Sequence, residues 1–274
     1  MKISRATPAF AIWNMVDVGY TTVQATHGLV NGDLTGAEGD GISASRMGDI
    51  AVGEGNVAVM GELFTYDGDM EWDIGMPWYR PTRICHVTSG SEYGWRTGSG
   101  KWPAYYPDAL PAIHNLEQGS PTAVLSGAKL NFPGSYKNGI FVMDWSFGTL
   151  YFADLKPEGS SYTAERKEFL SGTPLPLTDM IAGNDGNLYF ASGGRRIDSH
   201  LFRLRYTGSD SKERVIAKNK VAEELRILRQ GLEKYHSEVS PEAIPLAWEN
   251  LDHNDRHVRY AARIALENQP VDQW

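Results

Sequence analysis

Hydrophobic and polar positions follow two different rhythms along this chain. From residue 61 to about residue 208 the apolar residues come in short runs, GELFTYD, GIFVMDW, GTLYFADL, GNLYFASGG and SHLFRLRYTG, separated by Gly, Asn and Asp. Short β-branched and aromatic runs punctuated by turn residues predict strands. After residue 208 the rhythm changes. In SDSKERVIAKNKVAEELRILRQGLEKYHSE, Val221, Leu225, Leu228 and Leu232 fall three or four residues apart with charges between them, the period of one amphipathic helix. Ser240-Pro241-Glu242 then predicts a second helix start, with serine as cap and proline at the first helical position. AIPLAWENL, a turn at Asp252-His253-Asn254-Asp255, and RHVRYAARIALENQ complete a helical pair. Residues 1–60 are rich in glycine and small residues, and only TTVQATHGLV, DGISAS and GNVAVM read there as short strands.

The β stretch also repeats. A Gly, Asn or Asp turn followed by x-L/I-Y/F-x-x-D/S occurs at 61–67, 139–144 and 186–192, the last two starting 47 residues apart. One propeller blade occupies roughly 40 to 50 residues, so a propeller is the simplest architecture; a β-sandwich with similar turns is the alternative. Three segments result: 1–60, a divergent blade or a misread start; 61–208, propeller blades; and 209–274, the first pair of a HEAT-like helical array. The fold class is mainly β, a partial β-propeller followed by a short α-helical segment.

Composition limits the partners. The 274 residues are 41% hydrophobic, enough for a sizeable core, and the formal charge of −8 disfavours nucleic acid or an anionic membrane surface. A single cysteine, Cys85, excludes an internal disulfide, and no C-x-x-C-H is present to attach a haem. The start, MKISRATPAFAIWNMVDV, is a poor export signal because Pro8, Asn14 and Asp17 interrupt its apolar run. No run approaches the roughly 18 apolar residues of a membrane span.

Candidate chemistry concentrates in residues 61–111, where carboxylates, arginines, a histidine and four tryptophans share one loop-rich stretch. Such a stretch recognises something or holds a neighbouring element in place. In an extended strand Asp67, Asp69, Glu71 and Asp73 share a face at intervals of about 7 Å, and four like charges there call for a cation. Calcium is one answer; pairing with Arg80 and Arg83 is the other. His86, with Arg80, Arg83, Glu92 and Arg96 nearby, reads as a structural strand histidine. Tyr93, Trp95, Trp102, Tyr105 and Tyr106 form either a platform for a sugar ring or a satellite core under a loop. The candidate substrate rim is Arg80, Arg83, His86, Glu92, Tyr93, Trp95, Arg96 and Trp102. Gly98-Ser99-Gly100-Lys101 lacks the spacing of a phosphate-binding loop, and no G-x-S-x-G or H-E-x-x-H occurs.

The runs GELFTYDGDMEWDIGMPWYRPTRICHV, SEYGWRTGSGKWPAYYPDALP, PLPLTDMIAGNDGNLYF and HVRYAARIALENQP carry a resemblance. Over residues 61–274, roughly three quarters of the chain, it resembles large multidomain proteins of planctomycetes and verrucomicrobia. In these a β-propeller related to the glucose/sorbosone dehydrogenases precedes HEAT-like repeats and a haem-binding cytochrome c module. The resemblance implies a sugar or alcohol dehydrogenase ancestry, a periplasmic or cell-envelope setting, pyrroloquinoline quinone and Ca²⁺ as cofactors, and the cytochrome module as electron acceptor. Glu92-Tyr93-Gly94-Trp95 is similar to the Asn-Tyr-Gly-Trp turn of those dehydrogenases. Two departures concern the quinone, whose three carboxylates need fixed cations. Where the dehydrogenases place a lysine, this chain reads Asp144-Trp145-Ser146-Phe147; where they place paired arginines, it reads PLPLTD ending at Asp179. A carbohydrate- or protein-binding scaffold without chemistry of its own is therefore the alternative function.

Overall fold

The computed structural model describes residues 2–6, 10–18, 57–58, 61–69, 80–96, 100–101, 103–194, 196–214 and 219–274. The early strands are β1 (Lys2–Ala6), β2 (Phe10–Val18), β3 (Val57–Ala58), β4 (Glu62–Asp67) and β5 (Arg83–Val87). Three two-residue strands follow, β6 (Trp95–Arg96), β7 (Gly100–Lys101) and β8 (His114–Asn115). The longer strands are β9 (Pro121–Ser126), β10 (Gly139–Asp144), β11 (Thr149–Glu158), β12 (Ser161–Thr173), β13 (Leu177–Ala182), β14 (Leu188–Gly194) and β15 (Ile197–Tyr206). The described α-helices are α1 (Lys220–Glu233), α2 (Ala243–Glu249) and α3 (Arg256–Glu267). Among the described residues the chain is thus mainly β with several antiparallel sheets, and the α-helices described there come after the strands.

Two compact units form, neither continuous in sequence. The first comprises Met1–Gly68, Gln118–Asp154 and Arg166–Ile216. One of its sheets has the order β1-β12-β11-β10-β9 and another the order β13-β14-β15-β2. Strand β10 is buried along its whole length, which is why its first five residues, GIFVM, are an unbroken apolar run. Around it Phe132, Phe141, Phe152, Phe169 and Tyr136 pack largely edge to face, at 4.8 to 6.2 Å between ring centres. Phe190 and Phe202, partners across β14 and β15, stack at 4.9 Å. Each such ring pair adds about 0.5–1.5 kcal/mol beyond its area burial.

The three repeated runs all emerge as strands, β4, β10 and β14. Two of them follow a glycine in the left-handed region, Gly61 at φ 79° and Gly186 at φ 73°, which only glycine enters without strain. The described part of residues 1–60 adds strands that the pattern did not mark. Of the strands expected there, TTVQATHGLV and DGISAS lie outside the described residues, and GNVAVM gives only β3. Instead FAIWNMVDV forms the nine-residue β2, antiparallel to β15 from Phe10↔Tyr206 to Val18↔Ser199.

Gly134 shows how tightly this unit closes. A Cβ there would sit 1.7 Å from the Glu213 carbonyl oxygen, and the Gly134 amide donates to Ser211 O at 2.8 Å. Gly134→Ala is expected to destabilise the first unit by about 1–3 kcal/mol, since backbone must move to admit a methyl group. Urea unfolding monitored on this unit checks it; an unchanged midpoint would contradict the close approach.

The second unit comprises Asp69–Glu117, Leu155–Glu165 and Ala217–Trp274. It contains the pairs β5–β8 and β6–β7, the tip of the β11–β12 hairpin, and the three described α-helices. Leu232, Ala247, Val258, Ala261, Ala262, Ala265 and Leu266 form its helical core. Two expectations need correction here. Val221 does not face the core of α1: it is 66% exposed, and Ala222, Arg229 and Leu232 form the buried stripe. Periodicity discounts a buried arginine and a small alanine, and so rotates the apparent face. Helix α2 begins at Ala243, not at Pro241. A helix starting at Pro241 would need an amide proton on Pro245, which proline lacks, so Ser240 and Pro241 remain in a turn in which Ala243 N donates to Ser240 O at 3.0 Å. The expected turn before α3 is present, and Asp255 caps the helix through the amides of His257 and Val258, both at 3.0 Å.

Candidate functional site

The expected rim residues do not all face solvent. Arg83 lies on β5, 7% exposed, and its Nη2 donates to Tyr93 O at 2.7 Å. His86, on the same strand, is 1% exposed. The Tyr93 hydroxyl donates to His86 O, and burial, with a smaller contribution from Cys85, pushes its pKa up. Glu92 Oε1 accepts the Gly94 amide at 2.6 Å, closing the Glu-Tyr-Gly turn with Gly94 at φ 80°. Arg83, His86 and Tyr93 thus hold one another and the backbone together inside the second unit. Arg80 is partly buried. Trp95 and Arg96 pair with Lys101 and Gly100 as backbone strands, and Trp102 lies outside the described residues.

The same holds for half of the carboxylate row. Asp67 ends β4 and Asp69 follows shortly after it, whereas Glu71 and Asp73 lie outside the described residues. Among the described residues no three His, Cys, Asp or Glu side chains stand together as metal ligands do.

What the structure does bring together in the second unit is a polar knot of which the sequence carries little hint. His86 Nδ1 and Ser161 Oγ stand 2.9 Å apart. Around them, His86 meets the Tyr162 ring edge on at 5.2 Å and the His257 ring at 6.3 Å, while the Arg226 guanidinium lies over Tyr162 at 5.5 Å. Asp255 accepts from Ser160 Oγ at 2.6 Å and Ser160 N at 2.8 Å. Burial alone would raise the Asp255 pKa, but the bonds from Ser160 and Val258 outweigh it and hold it below the usual value. Arg229, 1% exposed, completes the knot: Nε donates to Ser160 O at 3.0 Å and Nη1 pairs with Glu233 at 2.5 Å. The only advance signal is Asp255-Arg256-His257 at a helix start.

A cavity of about 360 Å³ opens beside this knot, lined among others by Ile113, Glu158, Ser161, Tyr162, Asp255 and His257. Its chemistry is limited. The Ser161–His86 pair has the spacing of a nucleophile and base, but both side chains are buried, 3% and 1% exposed. The Asp255 carboxylate, which would have to orient the histidine, is engaged by Ser160 and the α3 amides. His257 is held neutral, its pKa lowered to about 4, by burial first and then by the charges of His86, Arg229 and Arg256. The arrangement ties the hairpin tip to the helices of this unit.

The tyrosine-rich loop is tied in the same way. Arg256 donates to the carbonyls of Ala104, Tyr106 and Ala109. Arg263 pairs with Asp108 at 2.8 Å, Tyr260 donates to Gly90 O at 3.1 Å, and His236 meets Ser89 Oγ at 2.9 Å. Of the two roles open to this polar-aromatic stretch, holding a neighbouring element in place is therefore realised within the unit. Tyr105 and Tyr106 nonetheless remain exposed, with ring centres 5.0 Å apart.

The segments that the resemblance matches to quinone-binding cations, 144–147 and 174–179, lie in the first unit. Asp144 is 1% exposed, and its Oδ1 accepts the amides of Ser120, Ser146 and Phe147 at 3.2, 2.7 and 3.2 Å. Leu175 and Leu177, just ahead of Asp179, are core residues at 2% and 0% exposure, and Asp179 Oδ1 accepts the Met180 amide at 2.8 Å. The segment that the resemblance matches to the lysine thus carries an inward carboxylate and no cation, and the one matched to the arginines carries apolar core. This donor set does not fit a tricarboxylate quinone.

No protein-family model matches the chain, and no curated protein matches it. Solved structures of glucose and aldose sugar dehydrogenases are similar to it at low identity. A putative oxidoreductase (glucose dehydrogenase) of Thermus thermophilus is 19% identical over 53% of this chain and 42% of its own, with a TM-score of 0.42. The PQQ-bound aldose sugar dehydrogenase of Streptomyces coelicolor is 15% identical over 53% and 40%, with a TM-score of 0.39. The soluble aldose sugar dehydrogenase of Escherichia coli, in its apo form, is 13% identical over 52% and 45%, with a TM-score of 0.35. The chain spans less than half the length of each. No helix among the described residues is long and apolar enough to cross a membrane.

Proposed function

We propose that this chain is part of a dehydrogenase-derived β-propeller that binds carbohydrate and carries a helical-repeat scaffold, without quinone chemistry of its own. The buried Asp144 supports this reading most. A quinone carboxylate placed there would meet another carboxylate already satisfied by three backbone amides, and two like charges in a buried site repel strongly. On this reading residues 61–208 are blades, residues 1–60 supply a divergent blade, and α2 and α3 begin a HEAT-like array. The parent protein is periplasmic or in the cell envelope, as the sequence resemblance implies.

The second reading is an active sugar or alcohol dehydrogenase passing electrons to a downstream cytochrome c module. The Glu92-Tyr93-Gly94-Trp95 turn, similar to the Asn-Tyr-Gly-Trp turn of the dehydrogenases, favours it, because its positive-φ glycine is in place and Glu92 closes the turn. On that reading Asp67, Asp69, Glu71 and Asp73 hold Ca²⁺.

One thermal-melt experiment separates the two. Wild-type chain and the D69N/E71Q variant are melted with millimolar Ca²⁺, with pyrroloquinoline quinone, and with neither; dye reduction with glucose is followed alongside. We expect no quinone-dependent shift and no dye reduction. A rise of several degrees with quinone, or turnover, overturns the binding reading. A calcium-dependent rise in the wild type that the variant lacks establishes the metal row.

A further inference from the structure

Trp145 and Phe147 sit at the turn between β10 and β11 and are 37% and 55% exposed, whereas Phe132, Phe141, Phe152, Phe169, Phe190 and Phe202 of the same unit are core. The turn that presents them is fixed from several sides. Asp144 Oδ1 gathers the amides of Ser120, Ser146 and Phe147. Gly148 follows at φ 62°, where a Cβ would come within 2.6 Å of Leu175 O and 2.7 Å of Gly172 O, and Gly172 N donates to Gly148 O at 3.1 Å. Trp145 Nε1 donates to Gly193 O at 2.9 Å, and its ring lies so close to Gly194 that a Cβ there would be 3.0 Å away. The indole is therefore oriented before any ligand arrives, and its one polar atom is satisfied internally. Beside it the hydroxyls of Ser146 and Ser120 meet at 2.7 Å on the surface, and each keeps hydrogen-bonding capacity beyond that one bond.

We propose that this turn is a carbohydrate subsite in which the C–H face of a neutral pyranose stacks on Trp145 and Phe147 while its hydroxyls bond Ser120 and Ser146. The proposal rests on the binding reading above and supplies its site. Rings held partly in water beside hydroxyls match the two faces of a sugar, one apolar and one polar. The area argues against a protein partner. With Ile197, the exposed strand partner of Gly194, the exposed apolar surface totals roughly 250 Å², far below the about 1,000 Å² of a stable protein interface. The carboxylate that departs from the quinone pattern becomes, on this proposal, the clamp that shapes the sugar-binding turn.

The test titrates the 274-residue chain with cellotriose, maltotriose and xylotriose by calorimetry and saturation-transfer NMR, alongside Phe147→Ala and Trp145→Ala. Phe147 is exposed and its side chain has no polar atom, so Phe147→Ala is expected to melt like the wild type and to bind at least about tenfold more weakly. Trp145→Ala is expected to abolish binding. A trisaccharide bound equally by the wild type and both variants overturns the site while the binding reading stands. A wild type that binds none of the three overturns both. Self-association of the chain that Trp145→Ala abolishes would show the patch to be an interface between copies, and the proposal falls.

Discussion

Replacing Arg229 by alanine is expected to lower the unfolding free energy of the second unit by about 3–5 kcal/mol, the cost of breaking a buried ion pair by removing one partner. Arg229 is 1% exposed on α1, where its guanidinium serves both the Ser160 carbonyl and the Glu233 carboxylate. Alanine leaves a cavity, an unsatisfied buried carbonyl and a half-buried carboxylate together. Arg229→Met fills most of the volume and is expected to cost less; the difference between the two variants isolates the cavity part, and the cost that remains with methionine is the polar part. Urea unfolding with hydrogen exchange of the α1 and α3 amides provides the measurement, since these helices share the unit. A loss below about 1 kcal/mol for Arg229→Ala would mean that the knot around Ser160 does not organise the unit.

Acid is expected to weaken the same unit in a defined window. His257 has its pKa lowered from 6.5 to about 4. Between those values the unfolded chain binds a proton that the folded chain refuses, so stability is complete above pH 6.5 and falls as pH drops toward 4. The loss is at most about 3 kcal/mol. The groups facing His257 are His86, Asp255, Arg229 and Arg256, three of them cationic or able to become so. Asp255 acts in a lower range: its folded pKa lies below 3.8, so its contribution is present above that value and is lost only as pH falls beneath it. His257→Gln is therefore expected to flatten the profile between pH 6.5 and 4 and to leave the steeper loss below it. A wild-type profile already flat between about pH 7 and 4.5 would show that His257 titrates freely in the folded protein.

Both predictions concern residues that periodicity passes over, for a common reason. A period-based reading weighs apolar positions, so it places α1 and α3 correctly but gives Val221 to the core and leaves Arg229 outside it. It marks His86 as a structural strand residue without showing its partners, because Ser161 and His257 lie 75 and 171 positions further along the chain. The tyrosine loop is legible as something that recognises or restrains, yet only the folded chain shows Arg256 gathering three of its carbonyls.

The features already written in the sequence are local ones. Short apolar runs and turn residues set β4, β10, β14 and β15; the turn at Asp252–Asp255 and the helical run after it set α3; and the segments at 144–147 and 174–179 carry no lysine or arginine. These follow from nearest-neighbour chemistry, in which side-chain direction and backbone freedom are decided within a few residues. Folding in three dimensions decided the rest: that FAIWNMVDV completes a sheet beside β15, that Asp144 turns inward to three amides and so presents Trp145 and Phe147, and that Ser160, Asp255 and Arg229 close on one another. Strand partners and buried polar groups are chosen by contacts between distant segments, whose desolvation must be matched by a specific partner, and no local pattern records which partner that is.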